Sequence, residues 1–301
     1  MCAVAAASAD VTASVEEALE LLSACGCSDP ASRTEVLYAH WYVRARPGFS
    51  APPGCPPDLV EMLRTAHAGY GVWEDGWRVE HVGSRGQAIV RRGSHVCLLE
   101  LSDYAPATRR GLLPRPGDVV SAVSRRDRVE PRDGWWRAAG PAWSWARAPR
   151  GTVRLYFAAG ISVLPELVGA LTGMLANDPS PWMLKCATDP EQYARADAVI
   201  AYLGPRALER HAMQIVALVE SCSSRELGDT PPLTLPVVRG LAAAVDPGGD
   251  ESFGVHRCRL VAEGADGGVQ GVRARFAADG IRLDRPWARE MDGLLLPWEG
   301  G

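Results

Sequence analysis

Helical spacing of apolar residues is the first pattern along the chain, and it extends from residue 1 to about residue 70. A proline-rich segment at 47–57 interrupts it, because proline cannot continue a helix. Apolar positions recur every three or four residues over three stretches, 14–25, 34–43 and 59–68. The pattern predicts a helical N-terminal segment over 1–70.

The pattern changes to short apolar runs between Trp73 and about Arg150. Gly, Pro and Asp separate these runs, as they do between strands joined by tight turns. The runs lie at 78–82, 87–91, 96–101 and 119–123. We therefore expect a small β-rich unit over 71–150. Seven of the ten tryptophans precede residue 150, where they either fill a core or line a peptide groove.

Alternating strand and helix patterns follow from residue 151 onward. The pattern predicts strands at 153–158, 182–187 and 198–203, helices at 164–176, 206–221 and 269–279, a helix from near Ser252, and a loop at 231–236. The expected fold class is α+β, in which a helical and β-rich N-terminal half precedes an α+β catalytic domain over 151–301.

Charge and cysteine content narrow the function classes. The 301 residues carry a formal charge of −4, whereas nucleic-acid binding calls for a basic surface. We see neither a signal peptide nor an apolar run of membrane-spanning length, so we expect no nucleic-acid and no membrane partner. The eight cysteines lack the spacing of a disulfide framework or a zinc site, which favours a cytoplasmic location and no bound metal.

Lys185 is the one lysine in a chain with 31 arginines. Arginine serves as well as lysine in ion pairs and in phosphate binding, but it cannot lose its proton near neutral pH. A position that needs a deprotonated amine therefore cannot become arginine and still work. Lys185 is the first candidate for a base or nucleophile, and chance retention is the alternative.

Two predicted strands carry polar side chains on one face. Successive side chains of a strand face opposite sides, so Arg154 and Tyr156 share one face of the strand at 153–158. The same alternation separates Lys185 from its apolar neighbours within 182–187. If the two strands lie near each other, Lys185, Tyr156 and Arg154 converge.

The segment 246–260 combines a glycine-bearing loop with a predicted helix start. Ser252 is a suitable N-cap, and His256 and Arg257 follow it. Free N–H groups at a helix start, together with an arginine, form a site for phosphate or carboxylate. The alternative is a capped amphipathic helix with solvated arginines.

Arg195 and Asp197 flank Ala196 just before the predicted strand at 198–203. Their side chains lie on one side of an extended chain, so Arg195 is able to bind an anion that Asp197 orients. A surface ion pair is the other interpretation.

Three segments resemble the HopA-type effector family, which is named for a type III secreted effector of plant pathogens. They are 154–157 (Arg-Leu-Tyr-Phe), 184–197 (with Leu-Lys-Cys, Asp-Pro, Tyr, Arg and Asp) and 251–264 (Glu-Ser-Phe-Gly-Val-His-Arg-Cys-Arg-Leu-Val-Ala-Glu-Gly). The match continues more weakly at 133–136 and 38–42, so it spans most of the chain and is most specific in the C-terminal half.

The resemblance implies a reaction and a set of partners. Bacterial relatives of that family are encoded in gene clusters for ribosomally made, modified peptides, notably class V lanthipeptides and thioamitides. There a separate kinase phosphorylates Ser or Thr of a precursor peptide, and the HopA-like protein eliminates phosphate to leave dehydroalanine or dehydrobutyrine. The implied activity is a phosphoserine/phosphothreonine lyase whose partners are the phosphorylated precursor peptide, the kinase and a cyclase.

For such an elimination we expect three catalytic side chains. Lys185 is the expected base for the α-proton, provided that burial and adjacent cations lower its pKa. His256 is an expected proton donor to the leaving oxygen, although a helix N-terminus lowers its pKa. Tyr156 either donates that proton instead or supports the enolate oxygen.

The phosphate itself calls for a set of hydrogen-bond donors. Arg257 and Arg195, with Arg154 as a third, are expected to bind its oxygens and to stabilise the departing charge. Ser252 and Asp197 complete the expected phosphate and substrate site. With these groups in place, the reaction requires neither a metal nor an organic cofactor.

Two other functions stay open at this stage. One is a non-catalytic partner of a biosynthetic kinase that binds a phosphopeptide or leader peptide without turnover. The other is a secreted virulence effector.

Overall fold

The computed structural model describes residues 11–44, 58–69, 73–93, 95–106, 113–123, 126–130, 133–145, 148–222, 227–249, 251–289 and 293–299. The chain divides into two compact units, one formed by 1–68 with 127–301 and the other by 69–126. The proline-rich segment 47–57 lies outside the described residues.

The smaller unit is an antiparallel sheet with the strand order β3-β2-β1-β5-β4. Its strands are β1 (Trp73–Val82), β2 (Ala88–Arg92), β3 (His95–Leu99), β4 (Tyr104–Pro106) and β5 (Val119–Val123). One face carries a small core that includes Trp77, Val79 and Val120. The four strands expected from the sequence in this region are confirmed, and β4 adds a short edge strand.

The larger unit contains a second antiparallel sheet, ordered β11-β12-β8-β10-β9-β7-β6. Its strands are β6 (Asp127–Glu130), β7 (Trp135–Ala139), β8 (Val153–Phe157), β9 (Trp182–Ala187), β10 (Val199–Leu203), β11 (Leu235–Val238) and β12 (Leu241–Val245). Strands β8, β9 and β10 are buried along almost their whole length. They form the centre of the unit.

Helices cover both faces of this sheet. They are α1 (Val11–Cys25), α2 (Pro30–Leu37), α3 (Leu59–Ala66), α4 (Leu164–Leu175), α5 (Pro205–Ser221), α6 (Phe253–Gly264) and α7 (Gly268–Ala278). Helices α3, α4 and α5 share one apolar core with the sheet, and α1, α2, α6 and α7 share the other. A π-helical turn at Tyr38–Tyr42 continues α2 into the second core.

The α+β fold class expected from the sequence is confirmed, and the helices and strands expected in the C-terminal half lie close to their expected positions. The structure divides the chain differently from the 1–70, 71–150 and 151–301 of the sequence analysis. Strands β6 and β7 pair within the larger sheet, because β7 completes the backbone hydrogen bonds of β9 and buries Trp136 in the core.

None of the helices within the described residues combines the length and the apolar composition needed to cross a bilayer.

Candidate functional site

The strand register brings the predicted polar residues onto one face of the larger sheet. Lys185 of β9 and Tyr156 of β8 both lie opposite Ile200, on the intervening strand β10. Arg154 lies opposite Tyr202, one step along the same face. Adjacent strands are about 4.8 Å apart, so the backbones of Lys185 and Tyr156 lie about 10 Å apart. This face packs beneath α1, α2, α6 and α7, and we call it the polar face.

Lys185 is half-buried on this face, and its ammonium nitrogen lies 3.8 Å from the centroid of the Trp135 ring. No carboxylate of the described residues lies within 4 Å of it. Burial lowers the pKa of Lys185 to about 8, and the charges of Arg137 and Arg154 contribute to the shift. At neutral pH an appreciable fraction of the amine is therefore free, which an ordinary lysine does not offer.

Arg154 is buried and paired. Its Nε donates to Asp246 Oδ2 at 2.6 Å, and its guanidinium carbon lies 5.1 Å from the centroid of the Tyr202 ring. Burial by itself lowers the pKa of Arg154, but Tyr202, Tyr156 and Asp246 outweigh that effect and raise it. The residue is a fixed positive charge within electrostatic reach of the lysine.

Arg195 and Asp197 form a bidentate ion pair at the start of β10. Arg195 Nε and Nη2 donate to the two carboxylate oxygens of Asp197 at 2.9 and 3.1 Å. Gln192 Oε1 accepts from Nη1 at 2.9 Å, and the Tyr38 hydroxyl donates to Asp197 at 3.2 Å. The Asp197 side chain is buried whereas that of Arg195 is a quarter exposed, so the pair is more than a surface contact.

Tyr156 lies beneath this layer and is only 1% exposed. Burial raises its pKa to about 12, so the phenol keeps its proton at neutral pH. Tyr42 packs beside it from the π-helical turn, and the side chain of Tyr42 partly offsets the rise in the pKa of Tyr156. Phe253 of α6 contacts both rings, with centroids 6.3 Å from each.

Helix α6 begins as the sequence predicts. Ser252 is its N-cap, and its Oγ accepts from the Val255 N–H at 3.2 Å. Gly254 lies so close to Tyr42 that a Cβ there would meet the ring at 2.3 Å. The absence of a side chain at Gly254 allows the helix to pack directly on the polar face.

Arg257 points into the interior and is 1% exposed. Its Nε donates to the Pro286 carbonyl at 2.6 Å, its Nη1 lies 2.6 Å from His256 Nδ1, and its guanidinium stacks on Phe253. Burial lowers the pKa of Arg257 to about 10, and the charge of Arg289 adds to the effect. Arg257 contributes positive charge from α6, the helix that packs on the polar face, and its side chain is almost inaccessible to a ligand.

His256 is neutral and surrounded by charged groups. Burial is the main cause that lowers its pKa to about 4, and the positive charge of Arg257 is the second cause. Its Nε2 lies 3.1 Å from Asp279 Oδ2 and 3.1 Å from Arg289 Nη2. Its Nδ1 accepts from Arg257, so the histidine holds that arginine in position.

The structure thus gathers most of the predicted site residues and separates a few. Lys185, Arg154 and Tyr156 share the polar face. Asp197, paired with Arg195, lies within electrostatic reach of Lys185 and Tyr156, and Arg257 lies within electrostatic reach of Tyr156. His256 and Ser252 stand apart: the first faces Asp279, and the second caps α6.

Sequence reasoning missed four side chains that complete this face: Trp135, Arg137, Tyr38 and Asp246. Trp135 and Arg137 alternate along β7, which is a signal for a shared strand face. Only the pairing of β7 with β9 shows that this face is the one that carries Lys185.

The fold and the site define a class: α+β proteins with a cationic sheet face built around a half-buried lysine. A model of the HopA1 effector protein family matches residues 130–287, more than half of the 301-residue chain, so the chain belongs to that family. The matched region contains β7 to β12 and α6, and with them almost all of the polar face.

Two solved structures share the fold. The effector protein from Pseudomonas syringae pv. tomato strain DC3000 superposes with a TM-score of 0.59 and 14% identity, over 94% of this chain and 98% of that one. The effector protein from Pseudomonas syringae pv. syringae strain 61 superposes with a TM-score of 0.58 and 14% identity, over 94% of this chain and 99% of that one. No curated protein matches the chain in sequence at a significant level.

Proposed function

We propose that this protein is a phosphoserine/phosphothreonine lyase that acts on a phosphorylated precursor peptide in the biosynthesis of a modified peptide. A separate kinase would supply the phosphopeptide, and a cyclase would consume the dehydroalanine or dehydrobutyrine product. The observation that carries the proposal is the single lysine, half-buried on a cationic face, with its pKa lowered to about 8. The resemblance to HopA-like lyases supplies the reaction class.

The chemistry matches the groups on the polar face. The free amine of Lys185 takes the α-proton, and the electron pair of that C–H bond forms the Cα–Cβ double bond. The Cβ–O bond breaks, and phosphate leaves with the bonding electrons. An α-proton flanked by amides is a weak acid, so the base must contact it directly, and nearby cations must stabilise both the enolate and the leaving anion.

The exposure of each arginine determines whether it can contact the phosphate directly or acts only through its charge. Arg195 is the one predicted phosphate ligand with an appreciably exposed guanidinium, and Asp197 fixes its orientation. Arg154 and Arg257 are buried, so they act through their charge: both raise the electrostatic potential that favours a dianionic substrate. His256 is neutral at pH 7 and holds Arg257 in position, so it does not protonate the leaving group. Solvent or the phosphate itself supplies that proton.

The decisive experiment incubates the purified protein with synthetic phosphoserine and phosphothreonine peptides and follows their mass. We expect the loss of one phosphoric acid unit and a product that adds a thiol, as dehydroamino acids do. Lys185→Ala and Lys185→Arg should both lower the rate by roughly 10²–10⁴, because the second variant keeps the charge but cannot supply a free amine.

Arg64→Ala is the matched control for these variants. Arg64 pairs with Asp127, which shares its face of the sheet with Trp136 in the opposite core, so its loss should leave the rate within about twofold. Intact phosphopeptide after long incubation with folded wild-type protein contradicts the lyase. Binding without mass loss would favour the non-catalytic partner.

The effector alternative rests on a different observation. Both structural neighbours are effector proteins from Pseudomonas syringae, and the matching family is an effector protein family. A secreted effector and a biosynthetic lyase are therefore separated by the substrate rather than by the fold. Activity on phosphothreonine in a host-type signalling peptide, with none on a Cys/Ser/Thr-rich precursor, would favour the effector.

A further inference from the structure

Arg137 is the charged residue that the strand register places next to Lys185. The two residues are direct partners in the pairing of β7 with β9, and both side chains lie on the polar face. Residues opposite each other in an antiparallel pair have Cβ atoms about 4.5–5.5 Å apart. An anion that contacts the Lys185 amine is therefore within reach of the Arg137 guanidinium.

The ion pair of Arg137 is easily displaced. Its guanidinium donates to both carboxylate oxygens of Asp133, four residues earlier in the turn before β7. The Arg137 side chain is 16% exposed and the Asp133 side chain is 43% exposed. A pair whose carboxylate is this open to solvent is held more weakly than a buried pair. A phosphate dianion that approaches Arg137 competes with a weakly held carboxylate.

The other arginines near the lysine are committed to stronger partners. Arg154 and Asp246 are each only 9% exposed, and breaking such a buried pair leaves an uncompensated charge in the interior. Arg195 is held by both oxygens of the buried Asp197. Arg257 has almost no exposed surface. The guanidinium that a ligand can draw away from its present partner at the lowest cost in free energy is therefore that of Arg137.

We propose that Arg137 binds the phosphate group of the substrate beside Lys185, and that this phosphate displaces Asp133. The identity of the ligand as a phosphate ester rests on the proposed function. The placement of Arg137 rests on the strand register and on the exposure of its ion pair. Arg137 then serves the reaction twice, because it holds the leaving group and its charge favours the free amine.

The single lysine makes a direct test possible. An amine-selective acylating reagent modifies Lys185 and the N-terminal amine, and peptide mass spectrometry separates these two positions. A bound anion stabilises the ammonium form and slows acylation. At pH 8 we expect saturating inorganic phosphate to slow the acylation of Lys185 in the wild type by roughly tenfold, since a close opposite charge moves a pKa by about 1–3 units.

Three variants locate the effect. Arg137→Gln should reduce the protection to less than about twofold. Arg64→Ala should keep it in full, because Arg64 lies in α3 and pairs with Asp127 on the opposite face of the β6–β7 hairpin. Asp133→Asn should lower the phosphate concentration for half protection by up to about fivefold, because it removes the competing carboxylate. A gain of affinity of this kind cannot arise from unfolding.

Equal protection in Arg137→Gln and Arg64→Ala overturns the assignment, as does wild-type protein that phosphate does not protect. The elimination assay is scored separately. Phosphate protection that depends on Arg137, without loss of phosphate from peptides, refutes the lyase and leaves the binding site standing. Elimination that Arg137→Gln leaves unchanged in rate and in KM refutes the role of Arg137 and leaves the lyase standing.

Discussion

At the scale of single residues, the side chains of the polar face are set by the charges around them. Lys185 has a lowered pKa because burial removes water and because Arg137 and Arg154 add positive charge. Arg154 stays charged because a guanidinium keeps its proton near neutral pH, and Tyr202, Tyr156 and Asp246 raise its pKa further. The difference between a proton acceptor and a fixed charge on one sheet face thus depends first on the side chain, because an amine can lose its proton near neutral pH and a guanidinium cannot.

The pKa of Lys185 predicts the pH dependence of the proposed elimination. The base must be unprotonated, so kcat/KM should rise about ninefold from pH 6 to pH 7 and about fivefold from pH 7 to pH 8, and level off above the pKa of about 8. The second ionisation of a phosphate ester lies near 6, so the substrate is already a dianion over most of this range. A rate profile that is flat between pH 6 and 8 would exclude Lys185 as the base.

At the scale of elements, α6 connects the polar face to the helical layer. Its Ser252 cap fixes where the helix begins, and Gly254 in its first turn admits the Tyr42 ring at close range. Arg257 and His256 follow in the next turn and form the buried cluster beneath the site. The residue at which α6 begins therefore determines where Arg257 lies.

Replacing Ser252 by Ala should destabilise the protein by about 1 kcal/mol, because one N–H of the first turn loses its acceptor. Ser252→Asp should restore most of that loss, since aspartate is an equally good cap. Urea unfolding measures both variants. If Ser252→Ala unfolds at the wild-type midpoint but fails to bind phosphopeptide, the serine contacts the substrate and the capping role is secondary.

At the scale of the whole molecule, contacts distant in sequence assemble the site. Arg154 and Asp246 are 92 positions apart, and Tyr38 and Asp197 are 159 apart. The antiparallel order of the larger sheet sets β8, β10, β9 and β7 side by side, although they do not follow one another in that order along the chain. The N-terminal helices then cover the face that this order creates.

The buried Arg154–Asp246 pair makes a prediction at this scale. Asp246→Ala leaves a buried guanidinium without its carboxylate, and we expect a loss of about 3–5 kcal/mol in the free energy of unfolding. Arg282→Ala is the matched control, because its pair with Asp284 is about 60% exposed on both sides and should contribute less than about 1 kcal/mol. Similar losses in the two variants would show that Arg154 is already solvated.

The sequence by itself determined the local elements and singled out Lys185 as the candidate base. Periodicity located β5 and β9 and the start of α6, because side-chain alternation and capping are properties of a few neighbouring residues. The single lysine among 31 arginines drew attention to Lys185 without any structure. Alternation within β8 also predicted that Arg154 and Tyr156 share a face.

Only the tertiary structure decided which strands are neighbours, and with them the composition of the site. The pairing of β7 with β9 placed Trp135 and Arg137 beside Lys185. The packing of α6 buried Arg257, which the sequence analysis expected to bind phosphate directly. Strand order and burial depend on contacts between residues far apart in the chain, which no local pattern encodes.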